Sequence, residues 1–234
     1  MKKRIENLIK KIKYFCYTYT LKGKVVHCKM CDWHGKRFVD KRCPKCNSLP
    51  RTRLVPFSLD YFDVKLNQKR VLHVAPNISE YQYFNEFYDI AVYDRLNINP
   101  DKHINLVQDL THTNIESGFY DTIVIWHVLE HIPNDLDAIK ELYRILNKDG
   151  KLIVSVPIYP VFNPTTKEDS NLDRSKFEEV HGHHDHCRSC GLDYFERFEK
   201  NNFKTQTLNS KDINDLDRLK YGLSETHTVW CFTK

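Results

Sequence analysis

Glycine is scarce in this sequence: there are 7 glycines in 234 residues, and none lies in a G-x-G-x-x-G or Walker-type run. A nucleotide-like ligand must therefore bind without a glycine-rich phosphate loop. Long apolar runs are also missing, and Lys10, Lys11 and Lys13 interrupt the apolar positions near the amino terminus. Because a membrane span needs roughly 18 apolar residues, we expect neither a transmembrane helix nor a signal-peptide core, and we predict a cytoplasmic protein.

Acidic residues are almost absent from the first 53 positions. This segment carries 16 of the 36 Lys and Arg residues but only 3 of the 31 Asp and Glu residues, which gives it a formal charge of +13. Residues 54–234 therefore carry 20 basic and 28 acidic residues, a formal charge of −8. A basic segment favours an acidic partner such as RNA, anionic lipid or a phosphorylated substrate. The competing interpretation is a lysine-rich surface that only keeps the protein soluble.

Residues 1–20 have the spacing of a basic amphipathic helix. The apolar positions are Ile5, Leu8, Ile9, Ile12 and Phe15. Such a helix can lie on an anionic membrane surface, which would make the protein peripheral to the membrane. We favour the alternative, in which the apolar stripe packs against the protein itself.

Four of the eight cysteines form two C-x-x-C pairs, Cys28 with Cys31 and Cys43 with Cys46. Each pair turns the chain so that two thiolates converge, and four thiolates complete the tetrahedral shell that Zn²⁺ prefers. The spacing predicts a zinc ribbon over residues 21–53. Because a four-cysteine shell is closed, we expect a structural rather than a catalytic metal. A redox function of the thiol pairs is the alternative.

From Val71 onward, short apolar strands alternate with amphipathic helices. The pattern predicts strands at 71–75, 90–93, 105–107, 122–126, 152–156, 203–208 and 226–233, and helices at 51–68, 78–88, 134–146 and 192–201. This alternation is typical of an α/β domain with a parallel sheet, here over residues 54–234. Residues 158–190 have no clear periodicity and indicate a lid or acceptor loop.

Ligands of open parallel sheets bind beyond the carboxyl ends of the strands. The predicted strand ends carry Pro76 and Asn77, Asp94, Asp109 and Leu110, and His127. Asp94 follows Val74 by 20 residues, the interval at which an acidic side chain meets ribose hydroxyls in nucleotide-binding sheets. Acidic residues at two successive strand ends therefore favour an adenosine-containing ligand.

Several runs of the sequence together form a recognisable pattern: YDTIVIWHVLEHIPND at 120–135, ELYRIL at 141–146 and DGKLIVSVP at 149–157. This pattern resembles the class I S-adenosylmethionine (SAM)-dependent methyltransferases of the type-11 group. The run VLHVAP at 71–76 is similar to the first motif of a subgroup with an amino-terminal zinc ribbon, which reads LHVAPE. The run CPKC at 43–46 with Arg51 and Arg53, and His184-Asp185-His186, also match this subgroup, whereas Asn77 replaces its usual acid.

The resemblance implies a Rossmann-like, seven-stranded methyltransferase sheet that ends in an antiparallel hairpin, with helices on both faces and a small zinc-ribbon module in front. It places SAM over the first strands, with Asp94 on the ribose and Asp109 and Leu110 at the adenine. The cofactor-binding set it implies is completed by His73, Ala75, Pro76 and His127.

Histidines are the candidate catalytic residues. Methyl transfer to an alcohol oxygen needs a general base with a pKa near neutrality, and His127, His184 and His186 are candidates. His127, Glu130 and His131 also have i, i+3, i+4 spacing, which places them on one face of a helical turn that His186 can approach from the lid. Imidazoles with a carboxylate are ligands of an open divalent metal site. The pattern resembles the Glu-x-x-Glu-His arrangement of small-RNA 3′-terminal 2′-O-methyltransferases. The alternative is that these histidines form hydrogen bonds only with the backbone or with solvent.

We therefore predict a SAM-dependent methyltransferase that acts on an oxygen of a small molecule, sugar or glycan intermediate. An RNA methyltransferase is the alternative, because a zinc ribbon and a basic segment also suit the binding of phosphates. A non-catalytic binding protein with the same fold is a second alternative. The sequence does not indicate the oligomeric state.

Overall fold

The computed structural model describes residues 12–234, so the first eleven residues of the predicted amphipathic helix lie outside the described part. Residues 12–20 form helix α1. Its Tyr14 hydroxyl donates a hydrogen bond to the Val39 carbonyl at 3.2 Å. Ile12 and Phe15 are 54% and 65% exposed. The expectation that these two side chains pack against the protein is therefore wrong, and binding to a membrane surface stays a prediction.

The small amino-terminal module is a hairpin followed by a helix. Strands β1 (Lys22–Cys28) and β2 (Trp33–Gly35) pair antiparallel, and helix α2 spans Pro50–Tyr61, shorter than the predicted 51–68. Arg53 of α2 is buried and donates hydrogen bonds to the carbonyls of Lys41 at 3.1 Å and Tyr221 at 3.0 Å. Helix α2 is thus attached both to the hairpin module and to the carboxyl-terminal part of the chain.

The main domain is a seven-stranded, mostly parallel sheet. Its strands are β3 (Arg70–Val74), β4 (Val92–Asn97), β5 (Leu106–Val107), β6 (Tyr120–Trp126), β7 (Leu146–Ser155), β8 (Lys204–Asn209) and β9 (Thr228–Thr233). Their order is β5-β4-β3-β6-β7-β9-β8, and only β9 is antiparallel to its neighbours. This is the Rossmann-like arrangement that the family resemblance implied, including the antiparallel hairpin at the end.

Apolar side chains fill both faces of the sheet, which explains why residues 123–126 of β6 form an unbroken apolar run. Helix α4 (Asp135–Ile145) packs Ile139, Leu142 and Ile145 into one core. Helices α2 and α3 (Ile78–Phe87) cover the other face, where Leu54 and Phe84 are buried. Three shorter helices follow: α5 (Phe177–His181), α6 (Glu196–Glu199) and α7 (Asp215–Tyr221).

Several further elements differ from the prediction. Helix α6 spans only Glu196–Glu199 of the predicted 192–201. Strand β4 spans Val92–Asn97, whereas the prediction was 90–93. It ends later than predicted because Leu96 and Asn97 pair with β5. Strand β7 starts at Leu146 directly after α4, earlier than the predicted 152, and its register to β6 is irregular near its beginning. Helix α7 was not predicted, since its Leu216 and Leu219 are exposed and leave no buried apolar stripe to detect.

The segment 158–190 is mostly irregular, as predicted. Isolated bridges join Ile158 to Cys190 and Lys167 to Ser189, so its two ends lie together, and Ile158 and Cys190 are buried in the core. Among residues 12–234, the helices are too short or too polar to cross a membrane.

Candidate active site

A cavity of about 470 Å³ opens where strands β3, β4, β5 and β6 end. Small-molecule sites have volumes of roughly 300–1,000 Å³, and open α/β sheets bind their ligands at this edge. Its lining residues come from the four strand ends and from the turn after β6: Val74, Ala75, Leu96, Asn97, Ile98, Gln108, Asp109, Leu110, Thr111, His127, Val128, His131, Ile132, Pro133 and Asn134.

Two residues with left-handed backbone conformation shape this cavity. Ala75, directly after β3, has φ of 47°, and His127, directly after β6, has φ of 54°. Such values are unusual for residues other than glycine. Backbone hydrogen bonds hold both turns, from Ala75 N to the Leu96 carbonyl at 2.7 Å and from His127 N to the Ser155 carbonyl at 2.9 Å. The chain therefore turns away from the sheet without a glycine and leaves the strand ends open.

Four of the predicted cofactor-binding residues line the cavity: Ala75, Asp109, Leu110 and His127. The Asp109 carboxylate is held in place because its Oδ1 accepts hydrogen bonds from Thr111 N at 2.9 Å and Thr111 Oγ1 at 2.8 Å. Asn97 lies at the end of β4 and was not singled out from the sequence. Most other lining side chains are apolar, which suits a flat aromatic ring such as adenine.

Asp94 does not line the cavity. The expectation that it stands at a strand end is wrong, because β4 continues to Asn97 and the Asp94 residue pairs with Leu72 in the middle of the sheet. Its carboxylate accepts hydrogen bonds from the Tyr120 hydroxyl at 2.7 Å and Asn105 Nδ2 at 2.9 Å. Its binding to ribose stays a prediction.

His73 and Pro76 also lie outside the cavity lining. His73 is completely buried beneath α3, its Nδ1 is 3.1 Å from the Tyr93 hydroxyl, and burial lowers its pKa to about 3. The Pro76 carbonyl accepts a hydrogen bond from His103 Nε2 at 2.7 Å. Both residues have structural contacts here, and their predicted contact with the cofactor is not tested.

His127 is the candidate base that faces the cavity. Its Nδ1 lies 3.5 Å from Glu130 Oε1, while its Nε2 is buried and has no hydrogen-bond partner among the described residues. The His227 ring lies 6.3 Å from the His127 ring, and burial, followed by the nearby His127, lowers the pKa of His227 to about 4. His227 is 100 positions away in the sequence, so no local pattern could have revealed this neighbour.

The predicted group of histidines and a carboxylate is assembled in the structure. Ligand atoms of Glu130, His131 and His186 lie within 4.8 Å of one another. Glu130 also approaches His127, so the four residues predicted as a second metal site are close together. His184 is instead exposed beside His183, with ring centroids 4.4 Å apart.

The four cysteines of the hairpin module also converge. Cys28 Sγ lies 3.7 Å from Cys46 Sγ, Cys31 Sγ lies 3.7 Å from Cys43 Sγ, and all four sulfur atoms lie within 4.8 Å of one another. A tetrahedron with Zn–S distances of about 2.3 Å has edges of roughly 3.8 Å. The arrangement is therefore compatible with a four-thiolate zinc site.

Comparison with known proteins agrees with the fold and the cavity. The model of a family described as a methyltransferase domain matches residues 72–208, more than half of the chain. This chain belongs to that methyltransferase family. The match covers the strands β3 to β6 that form the cavity, and it supports an enzyme over a non-catalytic binding protein. The chain is thus a SAM-dependent methyltransferase.

Solved structures of methyltransferases have a similar fold. A SAM-dependent methyltransferase from Archaeoglobus fulgidus matches with a TM-score of 0.55 and 13% identity over 78% of this chain and 94% of the other. One from Mesorhizobium loti matches with a TM-score of 0.54 and 9% identity over 76% and 96%. At these identities the likeness concerns the fold alone. No curated protein matches the sequence.

Proposed function

We propose that this methyltransferase acts on an oxygen atom of a small molecule, sugar or glycan intermediate, and that His127 accepts the proton of the acceptor hydroxyl. The observation that carries the proposal is His127 in the cavity lining: its Nε2 is buried and has no hydrogen-bond partner among the described residues, and the Glu130 carboxylate lies 3.5 Å from its Nδ1. A base that is oriented by a third group is the usual arrangement for proton removal.

The cavity fits the adenosine part of SAM. Apolar side chains of Leu96, Ile98 and Leu110 can sandwich or flank an adenine ring, and the Asp109 and Asn97 side chains supply polar atoms at the strand ends. Bound SAM supplies a methyl group on a positively charged sulfur, which takes back the S–C electron pair when the methyl group leaves. Because charge is neutralised in this reaction, alignment and exclusion of water provide most of the acceleration.

The residues of the chain then have two tasks. The turn 127–134 forms the side of the cavity beyond β6 and restricts access of water. His127 takes the proton that the acceptor hydroxyl loses, and the Glu130 carboxylate, 3.5 Å from Nδ1, stabilises the positive charge on the ring. Proton transfer by a positioned side chain contributes about 10²–10⁴-fold to a rate.

The test combines cofactor binding with product analysis. Calorimetry should show that S-adenosylhomocysteine binds the full chain, and SAM with a labelled methyl group should transfer its label to low-mass or glycan compounds of a cell extract. His127→Asn should lower this transfer by about 10²–10⁴-fold and change the affinity for S-adenosylhomocysteine far less. Asparagine suits this position because it adopts the left-handed conformation readily and has no basic ring. Full transfer by His127→Asn would refute His127 as the base.

RNA is the second candidate acceptor, because residues 1–53 carry a formal charge of +13. An RNA-binding module of this charge loses affinity steeply with salt, since it releases counterions from the phosphates. Filter binding of RNA between about 50 and 200 mM salt separates the two candidates. A steep salt dependence together with nuclease-sensitive methyl label would favour RNA, whereas absence of RNA binding would leave the small-molecule or glycan acceptor.

The ribbon cysteines are proposed to hold one structural Zn²⁺, as in the subgroup that the sequence resembles. Support comes from the spacing of the four sulfur atoms and from the burial of Cys28, Cys31 and Cys43. Ser79 Oγ of α3 donates a hydrogen bond to the Cys46 carbonyl at 3.2 Å, so the metal would also fix the module against the main domain. Metal analysis of the purified chain tests this assignment.

A further inference from the structure

We infer that Glu130, His131 and His186 form a second metal site, for a divalent first-row transition-metal ion, in the wall of the cavity. The site itself does not depend on the proposed function, but its role as the place where the acceptor oxygen binds does. Two imidazoles and one carboxylate are a common ligand set for Zn²⁺ and Fe²⁺, and three protein ligands leave positions open for an oxygen of the acceptor.

The carboxylate of Glu130 is the first argument. Glu130 is only 1% exposed, and its Oε2 has no hydrogen-bond partner among the described residues. Oε1 lies 3.6 Å from His131 Nε2 and 3.5 Å from His127 Nδ1. A buried carboxylate oxygen without a partner is costly, and a bound cation removes this cost.

The orientation of the two imidazoles is the second argument. His131 Nδ1 lies 3.2 Å from Asp185 Oδ1, and His186 Nδ1 lies 3.4 Å from the His181 carbonyl. Both rings thus have an oxygen acceptor on Nδ1, which leaves Nε2 available. Metal-binding histidines nearly always have such a partner on the second nitrogen, because it fixes the tautomer and the direction of the ring.

The third argument is that the structure fixes the two halves of the site relative to each other. Arg188, only 1% exposed, donates hydrogen bonds to the carbonyls of Leu129 at 2.7 Å and Ile132 at 2.9 Å, on both sides of Glu130 and His131. Cys187 N donates another hydrogen bond to the Glu130 carbonyl at 2.8 Å. The segment that carries His186 is therefore anchored to the turn that carries the other two ligands, as a preorganised site requires.

The location connects this site to methyl transfer. His131 and His127 both line the cavity, so an ion bound to His131 would lie at its wall. A divalent ion lowers the pKa of a bound hydroxyl group, and His127 would then take the released proton. In this arrangement the Glu130 carboxylate binds the ion and also contacts the His127 ring.

Cobalt titration of the full chain with a zinc-loaded ribbon tests the inference. We expect one equivalent of Co²⁺ to bind beyond the zinc, with weak visible bands and without the intense thiolate-to-cobalt absorption that a ribbon site would give. Glu130→Gln, His131→Ala and His186→Ala should each weaken Co²⁺ binding by at least tenfold, since even changes of groups that only support a ligand cost about 10–100-fold. Binding of S-adenosylhomocysteine by the same variants shows that they are folded.

Two control variants separate this site from other groups with suitable ligands. His183→Ala disrupts the more exposed group of His183, Asp185 and His186, and His34→Ala disrupts the surface group of His27, Asp32 and His34. Both variants should keep the bound cobalt. Absence of the extra equivalent, or its loss in a control variant while Glu130→Gln retains it, would overturn the inference. Methyl transfer by a protein that binds no extra metal would overturn the site and leave the proposed function intact.

Discussion

Arg188 offers a direct test of how the active-site turn is held. Its guanidinium donates hydrogen bonds to three carbonyls of the turn after β6, those of Leu129, Ile132 and Pro133, at 2.7–2.9 Å. It also lies 3.5 Å from the Asp135 carboxylate, and both side chains are 1% exposed. Arg188→Met keeps the approximate length of the side chain and removes all of these interactions.

The expected loss of stability follows from these contacts. Removing one partner of a buried ion pair costs about 3–5 kcal/mol, and unsatisfied buried carbonyls contribute to that cost. Arg197 still lies 2.6 Å from Asp135, so this carboxylate keeps one positive partner. We therefore expect the free energy of unfolding to fall by about 3 kcal/mol, at the lower end of that range.

Urea unfolding followed by circular dichroism measures this change. The matched control is Arg37→Met, since Arg37 is exposed on the hairpin module and such substitutions usually stay within about 0.5 kcal/mol. Hydrogen exchange should localise the effect, with faster exchange at residues 129–133 than elsewhere in the domain. A loss below about 1 kcal/mol for Arg188→Met would show that Arg188 does not hold the turn.

Three further predictions concern other parts of the molecule. Cys43→Ser should lower the zinc content below one equivalent and the melting temperature by at least about 5 °C, given roughly 2–4 °C per kcal/mol for a domain of this size; unchanged metal content would contradict the zinc assignment. Val128→Trp should fill the cavity and raise the calorimetric Kd for S-adenosylhomocysteine at least about tenfold, whereas Leu136→Trp, at a position 40% exposed on α4, should not; equal affinities would place the ligand elsewhere. Burial raises the pKa of Glu80 from its usual 4.5 to about 7. Between these two pH values the folded form keeps a proton that the unfolded form has lost, so the free energy of unfolding falls as the pH rises from about 4.5 to about 7. In urea unfolding, the unchanged protein should lose about 3 kcal/mol of unfolding free energy between pH 4.5 and pH 7.5, and Glu80→Gln should remove this loss. Identical pH profiles of the two proteins would refute the prediction.

The sequence indicated the fold well because its signal is local. The apolar run at 122–126 and the periodic Leu142 and Ile145 of α4 are buried as expected, since an element covered on one side or both must carry that pattern. The spacing of the cysteines likewise predicted their convergence. The end of β4 could not be found in this way, because Leu96 and Asn97 become strand only through pairing with β5.

The site was predictable only in part, for a related reason. Sequence alone determined the class of the protein, the ends of β3, β5 and β6 that border the cavity, and the i, i+3, i+4 spacing that brings Glu130 beside His127 and His131. The tertiary structure decided that His186 joins this group and His184 does not, that His227 lies beside His127, and that Asp94 faces Tyr120 instead of the cavity. The physical reason is that short-range spacing is fixed by helix and strand geometry, whereas contacts between distant segments depend on tertiary packing. The hydrogen bonds of Arg188 to the Leu129 and Ile132 carbonyls, which anchor the segment of His186 beside Glu130, are one example.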